Sequence, residues 1–365
     1  MPIPFNDLQT QYRSIESDVQ KRINNVLEHG RYIMGPEVEE LEGALISYTG
    51  AQNCIAVASG TEALLMVLMA LDIGPGDEVI TTPFTFVSTV ECIVRVGATP
   101  IYVDVEADTC NINALLIEEK ITPRTKAIMP VSLYGQTADM DLINAIATRD
   151  GNIPVIEDAA QSFGANYKGK KSCNLSSIAC TSFFPSKPLG CYGDGGAIFV
   201  NDTAMAKSLR EIRVHGQSAR YVHTSIGVGG RMDTIQCAVV LAKLKRFDWE
   251  VERRLALGAR YNDLLDQAGI GRVIQRPEQT SVFAQYTIFC DNREKIQAAL
   301  QIEGIPTAIH YPVPLNEQPA YKCNKETSTP VASKLARRVL SLPMSADLLE
   351  ADQDKIIETV AKAYV

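Results

Sequence analysis

Over the first two-thirds of the chain, short apolar runs rich in β-branched residues alternate with longer segments of helical periodicity. The runs that predict strands are CIAVAS (54–59), EVITTP (78–83), PIYVDV (100–105), KAIMPVSL (126–133) and IPVIED (153–158). The segments between them that predict helices are TEALLMVLMAL, VSTVECIVRVG, LLIEEKI and MDLINAIATRDG. Nearly continuous apolar strands separated by helices indicate a mostly parallel sheet with helices on both faces, which is an α/β fold.

The pattern changes towards the C-terminus. IACTSFF (178–184) and AIFVN predict a strand and a returning strand, and a long helix is expected from about 233 to 267. Shorter elements follow: the strand run VFAQYTIF, the helical run REKIQAALQIEG, the proline-rich IPTAIHYPVPL and a terminal helix. We therefore predict a large domain over residues 1–250 and a smaller C-terminal α+β domain over 251–365.

Composition excludes several classes of protein. The 365 residues have a net charge of −8 and no long Lys/Arg run, which argues against a nucleic-acid-binding groove. The longest apolar run, ALLMVLMAL (63–71), is too short to cross a bilayer, and no secretory signal is visible at the start. Nine cysteines without C-x-x-C spacing and four scattered histidines indicate buried thiols and no metal site. The expected protein is cytoplasmic and not inserted in a membrane.

Three short motifs could carry chemistry. SGTE (59–62) lies at a strand-to-helix junction, where Ser59 can cap the helix and Gly60 leaves N–H groups open to a phosphate; an ordinary helix cap is the alternative. VIEDAAQ (155–161) ends a buried strand with Glu157 and Asp158, either of which could be functional or a simple helix cap. Neither motif decides its role alone.

The third motif is SFFPSKPLGCYGDGG (182–196). Pro188 pushes Lys187 away from helical torsions, so we expect this lysine at the tip of a structured turn that Phe183 and Phe184 support. A partly desolvated lysine with a lowered pKa can act as a nucleophile towards carbonyl groups. An isolated lysine in a turn is more often a plain surface residue.

Taken together, the motifs match the needs of one cofactor. Pyridoxal phosphate requires a phosphate site, a carboxylate that keeps its pyridine nitrogen protonated and a lysine that holds its carbonyl carbon. Phe86, in PFTFVST (83–89), offers a face on which the ring can stack, although it could equally be a core aromatic. We therefore expect a pyridoxal phosphate enzyme.

At these residues the chain resembles the fold-type-I aminotransferases of the DegT/DnrJ/StrS family, which aminate keto sugars on nucleotide carriers. The resemblance covers nearly the whole chain, in the order FNDLQTQY, GRYIMGPEVEELE, ASGTEAL, GPGDEVITTPFTFVST, VSLYGQ, IEDAAQSFGA, FFPSKPLGCYGDGGA, IRVHG and HYPVPLNEQPAY. It implies catalysis by Lys187 and pairing of Asp158 with the pyridine nitrogen. It also implies that Gln161 lies over the cofactor near its hydroxyl.

The remaining site residues are likewise implied by the resemblance. Those expected at the cofactor are Gly60, Thr61 and Ser182 at the phosphate and Phe86 at the ring. Those expected at the sugar nucleotide are Gly30, Tyr32, Ser186, Arg231, His310 and Tyr311. The family usually has Asn two residues before the matching arginine, where it reaches a partner subunit's phosphate, and this chain has Gly229 there. A neighbouring N–H group could replace that contact, and a homodimer with shared sites is still implied.

Within the family, several stretches resemble the branch that acts on UDP-2-acetamido-2-deoxy-3-oxo-glucuronate for bacterial surface polysaccharides. The resemblance implies L-glutamate as amino donor, and Arg231 and His310 would suit the uronate carboxylate and the diphosphate. Three alternatives remain: another 3-keto or a 4-keto (6-deoxy) sugar, a dehydratase and a non-catalytic regulator. Lys187 argues against the dehydratase, since the family's dehydratases have histidine at that position.

Overall fold

The computed structural model describes residues 3–322 and 328–364. Within them the α-helices are α1 (Leu8–His29), α2 (Pro36–Thr49), α3 (Gly60–Ala70), α4 (Val87–Arg95), α5 (Met140–Arg149), α6 (Thr203–Ile212), α7 (Thr234–Gln267), α8 (Arg293–Ile302), α9 (Pro330–Arg338) and α10 (Glu350–Tyr364). The strands are β1 (Asn53–Val57), β2 (Glu78–Thr81), β3 (Thr99–Tyr102), β4 (Thr125–Met129), β5 (Ile156–Asp158), β6 (Asn166–Tyr167), β7 (Lys170–Lys171), β8 (Ile178–Ser182), β9 (Gly196–Val200), β10 (Gln217–Ala219), β11 (Val222–His223), β12 (Tyr286–Phe289) and β13 (Val339–Leu342).

The central sheet confirms the predicted architecture. Strands β3, β2 and β4 pair in parallel, as do β5 and β8, and parallel bridges from Ile128 to Val155 and from Val131 to Asp158 join the two groups. Strand β9 runs antiparallel to both β8 and β1, as expected of a returning strand. The order is therefore β3-β2-β4-β5-β8-β9-β1, and the parallel strands place their carboxyl ends along one edge.

Side chains that alternate along these strands build two separate cores. Ile55 and Val57 of β1 pack under α3 and α6, whereas Cys54 and Ala56 pack under α2 and α7. The same alternation in β8 and β9 gives each face its own apolar layer, since successive strand residues point to opposite faces. Helices thus cover both faces of the sheet, as the sequence predicts.

The C-terminal part has its own core, in which α8 and α10 pack on the antiparallel pair β12–β13. Helix α7 serves both parts: Phe247 and Val251 belong to the first core, and Leu257 and Tyr261 to the C-terminal one. The proposed division at residues 250 and 251 lies within this helix. The two-domain description remains a prediction.

Two local expectations are wrong. The run LLIEEKI forms two short 3₁₀ turns, Ala114–Leu116 and Glu118–Lys120, because it is too short to sustain an α-helix before Pro123. Strand β13 was not expected, because its apolar residues directly follow the helical run of α9. It forms because each of its four residues is buried against β12.

Across residues 3–322 and 328–364, no helix is both long enough and apolar enough to span a membrane. The same residues contain no group of three or more His, Cys, Asp or Glu side chains placed to hold a metal ion. The described cysteines are all free and buried.

The packing of α7 against the C-terminal part gives a test of the fold. A methyl group at Gly258 would lie 2.1 Å from Cε2 of Phe283, so Gly258→Ala should lower the free energy of unfolding by about 1–3 kcal/mol. Gly43, in the exposed face of α2, has nothing within 4 Å, and Gly43→Ala should raise stability by about 0.5–1 kcal/mol. Urea unfolding of both variants measures the difference, and equal effects would contradict this packing.

Candidate active site

A cavity of about 470 Å³ opens at the carboxyl edge of the sheet. It is enclosed by residues that follow β1 and β2, by the ends of β5 and β8 and by the turn after β8. Because these strands are parallel, residues far apart in sequence meet there. Its lining includes ten of the predicted site residues: Gly60, Thr61, Phe86, Asp158, Gln161, Ser182, Ser186, Lys187, His310 and Tyr311.

One wall of the cavity is the start of α3. Ser59 caps this helix, its Oγ accepting a bond from the Glu62 N–H at 3.1 Å, and Thr61 Oγ1 lies 2.7 Å from Ser88 Oγ. A Cβ atom on Gly60 would be 2.8 Å from Cβ of Ser182, so only glycine allows the helix start to approach β8 this closely. The N–H groups of the first helical turn have no partner within the helix, and they form a site suited to an anion.

Asp158 is buried at the end of β5, and its carboxylate is held in a defined orientation. Oδ2 accepts a bond from Thr89 Oγ1 at 2.7 Å, and Oδ1 accepts one from the Ala160 N–H at 3.2 Å. Burial raises the pKa of Asp158, while these two bonds and the charge of Lys187 act in the opposite direction. Burial therefore disfavours the charged form of Asp158, whereas the bonds from Thr89 and Ala160 favour it.

The neighbouring acid, Glu157, points away from the cavity. Strand alternation places it on the opposite face of the sheet, where Ser172 Oγ and the Cys173 N–H donate to it at 2.7 and 3.0 Å. Burial raises the pKa of Glu157 to about 7. The motif alone did not decide between the two acids, the resemblance implied Asp158, and the structure places Asp158, but not Glu157, at the cavity.

Lys187 lies in a tight turn, as expected. Its own N–H donates to the Phe184 carbonyl at 2.8 Å, and the Cys191 N–H donates to the Phe183 carbonyl at 2.7 Å. Gly190 closes the turn, since a Cβ there would be 2.6 Å from the Pro185 carbonyl oxygen. Burial lowers the pKa of Lys187, and the charge of Asp158 partly opposes that effect. Phe183 is buried behind the turn.

The opposite wall comes from the C-terminal part of the chain. Gln161 Oε1 accepts a bond from the Tyr134 N–H at 2.8 Å, and its Nε2 donates to the Tyr311 hydroxyl at 3.1 Å. The rings of Tyr311 and Phe86 lie 6.3 Å apart. His310 Nδ1 lies 2.9 Å from Ser341 Oγ, and burial followed by the charge of Lys187 lowers the pKa of His310 to about 4. His310 can therefore form hydrogen bonds at neutral pH but carries no charge there.

The other predicted substrate residues form a separate group outside the cavity. Gly30 ends α1, the carbonyl of Tyr32 accepts the Thr234 N–H at 3.0 Å, and Arg231 forms a backbone bridge with Val57. Tyr32 is about half exposed. Within one chain, these three residues are not brought to the cavity.

Gly229 belongs to this outer group. A Cβ there would lie 3.2 Å from Cε1 of His215 and 3.9 Å from an Nη of Arg231, so an imidazole ring occupies part of the space that an Asn side chain would take. The neighbouring N–H groups of Val228 and Gly230 already donate to the carbonyls of Ile212 and Arg213. The suggested replacement by a neighbouring N–H thus has little support from these two groups.

Sequence reasoning missed several residues around the cavity. Thr89 orients Asp158, Thr85 Oγ1 lies 3.0 Å from Thr89 Oγ1, and Ser88 contacts Thr61. These three hydroxyls occupy positions i, i+3 and i+4, with Thr85 just before α4 and Ser88 and Thr89 in its first turn, a spacing that could have identified them as one group. Asp194 and Gln285 also line the cavity, and no sequence signal singled them out.

Comparison with known proteins decides the family. Residues 13–361 match the description of the DegT/DnrJ/EryC1/StrS aminotransferase family. The chain belongs to this family. It is 56% identical over 342 residues to the UDP-2-acetamido-2-deoxy-3-oxo-D-glucuronate aminotransferase of Pseudomonas aeruginosa, covering 94% of this chain and 95% of that one.

Solved structures confirm both the fold and the family. A DegT DnrJ EryC1 StrS aminotransferase from Brucella abortus superposes with a TM-score of 0.95 at 42% identity, covering 99% of each chain. The Bacillus subtilis protein ntda, solved with bound cofactor PMP, superposes with a TM-score of 0.88 at 30% identity, covering 96% of this chain and 82% of that one. The fold-type-I architecture expected from the sequence is therefore correct.

The environment of His310 gives a test of the cavity's electrostatics. NMR titration of the protein should find His310 neutral at pH 6 and titrating near pH 4, because burial and the charge of Lys187 disfavour its protonation. Lys187→Met removes the second cause and should raise this pKa. A normal titration of His310 would contradict its burial, and an unchanged pKa in Lys187→Met would contradict the electrostatic effect of Lys187 on this histidine.

Proposed function

We propose that this protein is a pyridoxal-phosphate-dependent aminotransferase that moves the amino group of L-glutamate to C3 of a UDP-linked 3-keto sugar. The proposed acceptor is UDP-2-acetamido-2-deoxy-3-oxo-D-glucuronate, and the product would be a 2-acetamido-3-amino uronate for surface polysaccharide such as O-antigen. The observation that carries the proposal is the meeting of Lys187, Asp158 and the α3 start in one cavity. A cytoplasmic location forms part of it.

The residues of the cavity fit pyridoxal phosphate. The α3 start, kept open by Gly60 against Ser182, would take the phosphate, with Thr61 and Ser182 beside it. Asp158 would hold the proton on the pyridine nitrogen, and Phe86 would lie against the ring. When bound, the cofactor supplies a carbonyl group that exchanges with amines and a ring that delocalises electrons. Gln161, fixed between Tyr134 and Tyr311, would lie over that ring.

Lys187 would hold the cofactor and later move a proton between the α-carbon of the amino acid and the cofactor. The lowered pKa increases the fraction of neutral amine at the working pH, which a nucleophile and general base requires. The turn restricts where this amine can point, because its backbone is bonded on both sides of Lys187. Nearby Asp158 would counter the positive charge whenever the lysine is protonated.

The charges of the cavity support a homodimer with shared sites. The ligands would bring a phosphate, a diphosphate and a carboxylate, yet Lys187 is the one Lys or Arg among the described residues that line the cavity. Asp158 and Asp194 add negative charge to it. The outer group of Gly30, Tyr32 and Arg231 would then serve the cavity of a partner subunit, where Arg231 could meet an anionic part of the sugar nucleotide.

The alternatives are weaker. The identity to the Pseudomonas aeruginosa aminotransferase favours a 3-keto uronate over a 4-keto sugar, although relatives can share cofactor residues and differ in substrate. A non-catalytic regulator that binds pyridoxal phosphate would use the same cofactor residues, and the formation of 2-oxoglutarate from L-glutamate distinguishes the enzyme from it. A dehydratase is disfavoured by the lysine itself.

The proposed reaction can be tested with L-glutamate and a panel of keto sugar nucleotides, with amination followed by mass and 2-oxoglutarate measured in parallel. We expect amination of the UDP-linked 3-keto uronate by the wild-type protein. Lys187→Ala should lose the visible absorption of the bound cofactor and amination together, because both depend on the same amine. Amination of 4-keto sugars alone would overturn the substrate, and full turnover by Lys187→Ala would overturn the role of the lysine.

Shared sites can be tested by mixing inactive subunits. Arg231→Ala and Lys187→Ala subunits, refolded together in equal amounts, should recover about one quarter of the wild-type activity, because half of the dimers would contain one intact site. A mixture of Asp158→Ala and Lys187→Ala is the matched control and should recover nothing, since both residues lie in the same cavity of one chain. No recovery in the first mixture would show that Arg231 does not act on a partner's site.

A further inference from the structure

Glu157 is a buried acid to which the proposed reaction gives no role. Its side chain is fully buried on the face of β5 opposite the cavity, next to Asp158 in sequence. Among the ion pairs of the described residues, none includes Glu157, so no cation offsets its charge. Burying a carboxylate without a cation is unfavourable, and the chain must therefore compensate by hydrogen bonding.

The compensation comes from three donors on two different segments. Glu157 Oε1 accepts bonds from Ser172 Oγ at 2.7 Å and Ser132 Oγ at 3.2 Å, and Oε2 accepts one from the Cys173 N–H at 3.0 Å. All three groups donate towards the carboxylate, and their bonds oppose the effect of burial on it. Glu157 thus ties the end of β5 to residues 132 and 172–173.

The first of these links leads to the segment that carries Gln161. Ser172 Oγ lies 2.7 Å from Ser162 Oγ, and Ser162 directly follows Gln161. Since Ser172 donates its proton to Glu157, Ser162 donates to Ser172, which gives the chain of bonds a single direction. The Glu157 carboxylate, on the sheet face opposite the cavity, is thus joined through Ser172 to the residues that follow Asp158.

The second link reaches Gln161 from the other side. Ser132 precedes the turn Leu133–Gly135, whose Tyr134 N–H donates to Gln161 Oε1 at 2.8 Å. The backbone of Ser132 also donates to the Asp158 carbonyl at 3.0 Å. The first link from Glu157 thus ends on Ser162, the neighbour of Gln161 in sequence, and the second reaches Gln161 and the Asp158 carbonyl. A fully bonded polar network of this kind makes a single arrangement rigid.

We propose that Glu157 is a positioning residue: through Ser172 and Ser132 it fixes Gln161 and the backbone of Asp158 in the orientation the cavity needs. The role rests on the proposed function, because it assigns Gln161 and Asp158 to the cofactor. Glu157 itself does not touch the cavity and is not a catalytic residue.

The test compares three variants in the full-length protein. Glu157→Ala removes all three bonds and Ser172→Ala removes the link to Ser162 alone. Glu157→Gln can retain the bond from Cys173 through its oxygen and donate to the two serine hydroxyls through its amide. Leu300→Ala, which opens a cavity in the separate core of the C-terminal part, is the control for a general loss of stability.

Two measurements distinguish the positioning role of Glu157 from a general contribution to the stability of the fold. Without cofactor, hydrogen exchange should become faster in peptides covering residues 132–136 and 158–165 in Glu157→Ala, and to a smaller extent in Ser172→Ala, but not in Leu300→Ala. Titration with pyridoxal phosphate should show affinity weakened about tenfold in Glu157→Ala and largely restored in Glu157→Gln.

Wild-type exchange in both peptides of Ser172→Ala and Glu157→Ala would overturn the proposal. So would equal changes of hydrogen exchange in these peptides in Glu157→Ala and in Leu300→Ala. If Glu157→Ala fails to fold, Ser172→Ala carries the exchange test by itself. Failure of the wild-type protein to bind pyridoxal phosphate would instead refute the proposed function, and the exchange result of the cofactor-free protein would still decide whether Glu157 orders these segments.

Discussion

The Asp158 carboxylate is useful to the proposed reaction only if it stays ionised at a place that disfavours charge. Burial raises its pKa, and the chain opposes this with the hydroxyl of Thr89, the N–H of Ala160 and the charge of Lys187. Each of these groups requires its own local structure: α4 must begin beside β5, the chain must turn after the strand, and the lysine must be held nearby. The geometry of the cavity follows from stabilising this one charge.

Burial and the neighbouring charge also determine the pKa of Lys187, but here burial lowers the pKa instead of raising it. The charge of Asp158 opposes this effect, as the charge of Lys187 opposes the effect of burial on Asp158. Each residue therefore favours the charged form of the other. The turn around Lys187 is fixed by backbone bonds to Phe183 and Phe184 and by the Tyr192 N–H, which donates to Gln236 of α7 at 2.9 Å. Helix α7 therefore also contacts the turn that holds Lys187.

The sequence predicted those parts of the site that depend on short motifs at strand ends. The α3 start, Asp158 and Lys187 each follow a predicted strand, and parallel strands bring such residues to one edge. Thr89 could not be assigned, because its role depends on how α4 packs beside β5. Asp158 was chosen over Glu157 through the family resemblance, because apolar patterning over three residues does not show which of the two faces the cavity.

Residues from distant segments were located only by resemblance. His310 and Tyr311 reach the cavity because the segment beside β13 folds back over the sheet edge, and strand β13 itself was not predicted. His310 was expected to suit an anionic group, but its lowered pKa leaves it uncharged at neutral pH. That leaves Lys187 as the one lysine or arginine of the described lining, and burial lowers its pKa against the opposing charge of Asp158. The proposed ligands carry a phosphate, a diphosphate and a carboxylate, and in the proposed dimer the partly exposed Arg231 would add a guanidinium from a second copy to this cavity.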